Sequence, residues 1–400
     1  MRKILDYLHW KDIGLLELVF ALYPVLAGYS YGSNISFAFI LQIVFILWSY
    51  RKKVLRKIDY KPLKYFWVFY TIHGVVLMLL IMGGGGRFQT LFNNLVFDTL
   101  LFLTIYRVAM VIDFKKMRGA LYVMGTVYAI GLVYHFLLLQ TGQSISPIPI
   151  PFLPAPTETS RLFAELQRPC SFFWEPAAYI TFMMLPIFVA MHEKKYILAG
   201  AFSITNFLST STNGMIFTLL LIAIYAITQK LSSTRKFTVI GGGIALAVFL
   251  LTSPLFTQGR DKAENTDIES QARLVNGPYF IQTMDKGDLI FGIPNESPYD
   301  YVMEGKANTG ILLIDSGSMY IPAFWTAFIK FGIIGIIIYI LYFLYPIKKC
   351  REVMPYCLVL LLSSFVQSIL LNSNFFIQTV FIVCMMSYFT EENQKHLCYD

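Results

Sequence analysis

Charge is what this 400-residue chain has least of. Asp, Glu, Lys and Arg make up 14% of it, where soluble domains carry about a quarter. Hydrophobic residues reach 56% and the mean hydropathy is +0.60, which excludes an ordinary soluble enzyme. Cysteine is also sparse. Its five copies are scattered, which excludes a disulfide framework and a CxxC metal site. There is no P-loop, no DxD and no His/Cys metal cluster, so no metal and no cofactor is expected. Met1 to Asp12 has basic residues but no short apolar core with a small-residue cleavage site, so no removable leader is expected. No internal repeat is visible.

Long apolar runs are abundant. A hydrocarbon core needs roughly 20 apolar residues per helix, so twelve spans would use about 240 residues and leave no room for a soluble domain. The chain reads as an all-α integral membrane protein, a single polytopic domain over residues 1–400. The first five spans are Ile13 to Tyr29, Ile35 to Tyr50, Leu63 to Met82, Phe88 to Tyr106 and Gly119 to Gln140. The sixth starts near Pro176, a residue suited to a first helical position, and stops at His192-Glu193-Lys194-Lys195. Tyr196 to Gln229 carries no charge over 34 residues. At 1.5 Å per residue that is about 51 Å, too long for one span. Ser209 to Gly214 is the natural turn, giving spans seven and eight. Phe237 to Leu251 is span nine and Phe331 to Ile347 span ten. Val353 to Thr390 divides at Asn372-Ser373-Asn374 into spans eleven and twelve.

With both termini inside, 22 of the 32 Lys and Arg lie on the cytoplasmic side, eight lie outside, and Arg107 and Lys330 sit near span ends. Every inner connection is then basic, as the positive-inside rule requires. The net charge of +8 is a topology signal, and no nucleic-acid partner is expected. Two segments face outward, a shorter one at 141–171 and a long one at 254–318. The long one holds five basic and ten acidic residues.

These outer segments carry the candidate site. Arg161, Glu165 and Arg168 are spaced to share one face of a short helix ended by Pro169. Thr266 to Glu269 reads as a capping box, opening a helix that carries Arg273 and ends or kinks at Gly277-Pro278. Glu269 and Arg273 also fit a plain i, i+4 surface pair. Yet outer positive charge is scarce, and three arginines fall in these two elements. Guanidinium binds phosphate oxygens bidentately, so the set suits a lipid with a diphosphate head group. Lys330, near the outer boundary, either joins them or snorkels. Glu175, ahead of Pro176, is a base raised in pKa by desolvation or a helix cap. Asp315 stands at the outer entrance of span ten with the same two readings. Asp98 lies mid-span and is expected to be protonated or paired, with His73 or His135 as partner.

The order of these features resembles the bacterial O-antigen polymerase and ligase superfamily, multispanning glycosyltransferases of the cytoplasmic (inner) membrane. The matching pieces are Arg168 with Phe173, Glu175 and Pro176; Leu208 to Gly214; Ser270-Gln271-Ala272-Arg273; Leu289-Ile290-Phe291-Gly292; and Asp315 through Gly332 and Gly335. They cover roughly Arg161 to Tyr345. Asn213 stands where the family often has arginine, and Asp315 where the ligases have histidine, which favours the polymerase branch. The resemblance implies transfer of a growing glycan from undecaprenyl diphosphate to the next lipid-linked repeat unit, for O-antigen, capsule or exopolysaccharide. Arg161, Arg168, Arg273 and Lys330 would hold diphosphate, and Glu175 or Asp315 would take the acceptor proton. Partners implied are the lipid-linked oligosaccharide, membrane lipid, a chain-length regulator and a flippase. The competing readings are a lipid-linked oligosaccharide flippase or transporter and an O-antigen ligase.

Reporter fusions after Lys53, Lys116, Lys195, Lys236 and Lys349 should report cytoplasm, and fusions near Pro154 and Glu296 the outside. A cytoplasmic signal at Glu296 would remove the outward-facing site.

Overall fold

The computed structural model describes residues 6–31, 35–51, 56, 58–80, 86–146, 148–153, 167–229, 232–252, 272–293, 301, 321–368 and 370–397. The described chain is all-helical apart from a two-residue antiparallel ladder, Ser30–Tyr31 against Ile35–Ser36. Its helices are α1 (Leu15–Leu26), α2 (Phe37–Arg51), α3 (Lys61–Leu80), α4 (Gly86–Val111), α5 (Phe114–Gln140), α6 (Pro176–His192), α7 (Tyr196–Leu208), α8 (Thr212–Thr228), α9 (Ser233–Thr252), α10 (Ala272–Thr283), α11 (Lys286–Phe291), α12 (Ala323–Lys349), α13 (Met354–Ser363) and α14 (Ser373–Leu397). Five of them, α3, α4, α5, α12 and α14, are long and apolar enough to cross a membrane. Several shorter apolar helices accompany them.

The chain forms two compact units. The first comprises residues 1–57, 106–264 and 377–400, the second residues 58–105 and 265–376.

In the first unit α6 is central. Every residue from Ala178 to Met191 is buried, as expected for a helix apolar on all faces. Pro176 occupies the first helical turn, where its missing N–H costs nothing. Helices α5, α7, α8 and α14 pack around it. Packing and side-chain hydrogen bonds, rather than water exclusion, hold helices together in apolar surroundings. Tyr179 OH donates to Thr205 Oγ1 at 2.6 Å, Asn206 Nδ2 to Thr218 Oγ1 at 2.9 Å, and Gln378 Nε2 to the Thr181 carbonyl at 3.0 Å. The α7–α8 turn falls at Ser209–Ser211, where the uncharged run was expected to fold back.

A charged knot closes the far end of α6. Glu193 accepts from Tyr122 OH at 2.8 Å and pairs with Lys195 at 2.9 Å and with Arg118. His9 Nε2 lies 3.4 Å from the same carboxylate, so the knot ties the turn Trp10–Asp12 to α5 and α6.

In the second unit α12 is central, with α3, α10, α11 and α13 packed on it. Its first free N–H groups are taken by backbone, Ala323 N donating to Gln367 O (2.9 Å) and Phe324 N to Ser364 O (2.8 Å). The last apolar run divides at Asn372–Asn374 as expected, with α14 starting at Ser373, but its first half is shorter than expected. α13 stops at Ser363, and residues after it turn to cap α12, while Asn372 Oδ1 receives the N–H groups of Asn374 and Phe375 ahead of the run of α14. Of the two outcomes expected at Gly277-Pro278, an end or a kink, the end is ruled out. α10 continues through Gly277-Pro278 to Thr283, and the glycine lets the Trp325 side chain lie against its backbone. α12 begins at Ala323 and is broken at Gly332, so Lys330 lies two residues before the break, next to the apolar run expected from Phe331.

Burial alone opposes the charged form of Glu193, but the Lys195 ammonium, the Arg118 guanidinium and the Tyr122 hydroxyl outweigh it and hold this carboxyl below its usual range. Its contribution is therefore full above the ordinary carboxylate value and is lost as pH falls through the lower folded value. Glu193→Ala should cost about 3 kcal/mol by leaving two cations unpaired, read as a lower Tm in detergent. The gap to wild type should close as pH drops below about 4.

Candidate functional site

Glu175 and Arg168 belong to the first unit. Residues 167–171 are not helical, so a helix does not reach Pro169, and the stretch with Arg161 and Glu165 lies outside the described residues. Gln167 and Ser171 hold left-handed backbones, φ 41° and 60°, strained for residues with a side chain. The loop is nevertheless fastened on both sides of Arg168. Ile145 N–H donates to Gln167 Oε1 at 2.8 Å, and Cys170 N–H donates to His135 Nδ1 at 3.5 Å. Phe173 is buried against Tyr128, Tyr179 and Phe182, which anchors the start of α6. Glu175 takes the N-cap position of α6, but its side chain makes no capping hydrogen bond. Its carboxylate bears instead on Cys170, whose thiol is pushed well above its usual range, first by burial and then by the Glu175 charge. Arg168 and Glu175 both have further interactions.

Arg273 and Lys330 belong to the second unit, Arg273 in the first turn of α10. Arg161 and Asp315 lie outside the described residues, as does the capping box at 266–269.

Around Lys330 the structure shows what the sequence did not. α12 is broken at Gly332, whose backbone (φ 64°, ψ −163°) is not helical. The segment Leu289-Ile290-Phe291-Gly292 runs from α11 into this break. A Cβ on Gly332 would stand 2.1 Å from Ile290 O, and one on Gly292 (φ 83°) would stand 2.2 Å from Lys330 O. Only glycine permits both the approach and the positive φ. A helix break leaves carbonyls without partners. Here Ile293 N–H donates to Ile329 O at 2.8 Å, and His73 Nε2–H on α3 donates to Phe291 O at 2.8 Å. Phe331 fills the space beside Tyr70 and His73, ring centroids 5.4 and 5.7 Å away.

Lys330 is thus held by a two-stranded backbone crossing. It is partly buried, and among the described residues its ammonium donates no hydrogen bond. The charge whose field reaches it is that of Asp98 on α4. Asp98 accepts a short hydrogen bond from Tyr70 OH. The expected histidine partners are therefore corrected, since His73 is spent on Phe291 and His135 on Cys170. Sequence reasoning missed Tyr70 altogether. A tyrosine mid-span was the available signal, since a buried phenol needs a polar partner.

No family model, curated protein or solved structure matches this chain. The resemblance noted in the sequence therefore rests on its short motifs alone.

Substituting either crossing glycine should release the segment. Gly332→Ala and Gly292→Ala should each speed exchange of the Ile293 amide by about tenfold or more, as expected when local opening is eased by 1.4 kcal/mol. Hydrogen exchange in detergent checks this, and unchanged protection at Ile293 would mean the crossing is dispensable.

Proposed function

We propose that this chain is a polysaccharide polymerase of the bacterial cytoplasmic membrane. It would transfer a growing glycan from undecaprenyl diphosphate to the next lipid-linked repeat unit on the outer face. The observation that carries the reading is the crossing of Leu289–Gly292 with the break at Gly332. Two pieces of the motif resemblance, some forty residues apart in sequence, meet there beside a lysine whose ammonium has no hydrogen-bond partner among the described residues. A cation of that kind suits a diphosphate oxygen. Arg161, Arg168 and Arg273 are the further diphosphate ligands in this proposal, with Glu175 or Asp315 as base. In the transfer the acceptor hydroxyl loses its proton to the carboxylate, and its oxygen bonds to the anomeric carbon. The bond from that carbon to the diphosphate breaks, and its electron pair leaves with the lipid diphosphate, where cationic groups stabilise it.

One observation favours the second reading, a flippase. A broken helix with charged groups mid-helix is how transporters build binding sites, and α12, Lys330 and Asp98 have that form. Transport needs no glycosidic bond to change, so product analysis separates the two.

Purified protein given only its lipid-linked repeat should lengthen it and release undecaprenyl diphosphate without nucleotide sugar or added divalent metal. Arg168→Ala and Arg273→Ala should abolish polymer while leaving protein level intact, and Arg→Lys should rescue poorly because lysine lacks the bidentate fork. Repeat units crossing vesicle membranes with no elongation would establish the flippase instead.

A further inference from the structure

Lys330 stands about 10 Å along α12 from Ala323, at 1.5 Å per residue, in a helix long and apolar enough to cross a membrane. An ammonium there is expensive unless a counter-charge is near. The described residues join Lys330 and Asp98 by no ion-pair contact, but Tyr70, which bonds Asp98, packs its ring 5.4 Å from that of Phe331, the residue after Lys330, within range for the two charges to act on each other. Asp98 is in turn fixed by Tyr70 OH, on a third helix. Three helices thus contribute one residue each to a chain of phenol, carboxylate and ammonium. The carboxylate is oriented at one end and stands off from the cation at the other. Such an arrangement supplies charge without occupying the ammonium's own hydrogen-bonding capacity.

We propose that Asp98, oriented by Tyr70, is a positioning residue that keeps Lys330 charged and open toward an anionic diphosphate head group. This rests on the reading of Lys330 as a diphosphate ligand. Without a nearby carboxylate, a lysine in apolar surroundings favours its neutral amine, which cannot hold an anion. A guanidinium stays charged regardless. The role therefore separates from a purely structural one by which substitution rescues it. Other ionisable groups stand on the elements packed against α12, with Lys61, Lys64 and Tyr65 in the first turns of α3. His73 is bonded to Phe291 O, and Asp288 to Tyr301 OH at 2.8 Å. Arg273, Tyr279, Asp285, Lys286, Tyr356 and Cys357 stand on α10, α11 and α13 or at their caps, and Asp98 is the charge that acts on Lys330.

The test is thermal stabilisation of the full-length protein in detergent by undecaprenyl diphosphate, with inorganic diphosphate as a second arm, between pH 6 and 9. Wild type should be stabilised by the lipid across this range. Lys330→Gln should lose the shift at every pH. Asp98→Asn should bind at pH 6 and weaken by about tenfold per pH unit once the amine titrates. Tyr70→Phe, which removes only the oriented hydroxyl, should show the same trend more weakly. Asp98→Asn combined with Lys330→Arg should recover pH-independent binding. Asp98→Asn binding like wild type at all pH, or a defect that Lys330→Arg fails to relieve, would overturn the positioning role. No stabilisation of wild type by the lipid, or stabilisation by inorganic diphosphate alone, would instead overturn the lipid-diphosphate reading beneath it.

Discussion

A backbone polar group in apolar surroundings must find a partner within the protein, because no water is there to supply one. α12 is interrupted at Gly332, and an interrupted helix frees several such groups. The incoming segment answers them with main chain, Ile293 N–H closing on Ile329 O. Main chain reaches main chain only where side chains are missing from both, so Gly292 and Gly332 face one another's carbonyl neighbours. The placement of α11 and of Lys330 depends on this one contact. The opposite requirement operates at the start of α12, where Gln367 and Ser364 carbonyls take the N–H groups of Ala323 and Phe324.

The few charges are distributed by the same economy. Glu193 gathers Arg118, Lys195, Tyr122 and His9 about one carboxylate at the end of a wholly buried helix. Removing water from an ion is costly, and only several donors together offset that cost. Asp98 has a phenol and a distant ammonium. Lys330 has that field alone, with no hydrogen bond from its ammonium among the described residues. Glu175, at the head of α6, makes no capping hydrogen bond, and its charge acts on Cys170.

Much of this was legible in the sequence. Pro176 announced the start of α6, and the uncharged Tyr196 to Gln229 run had to fold back near Ser209 because no single span is that long. Other features were not legible, for identifiable reasons. Pro278 ordinarily stops a helix, but α10 continues past it with the Trp325 side chain against Gly277. Asp98 is expected to pair with His73 or His135, while its actual donor is Tyr70, 28 positions away.

Composition, run length and the punctuation of Pro, Gly and Asn by themselves determined that the chain is a set of apolar helices, and where most of them start and stop. These are local matters, decided by how many apolar residues follow one another and which backbones can turn. Which polar atoms meet was left to the tertiary structure alone. The break at Gly332 is stable only because Ile293 arrives from another segment to take the freed carbonyl, and Asp98 finds Tyr70 only because two helices pack side by side. Contacts between distant segments leave no period or spacing in the chain, so no reading of its order could have supplied them.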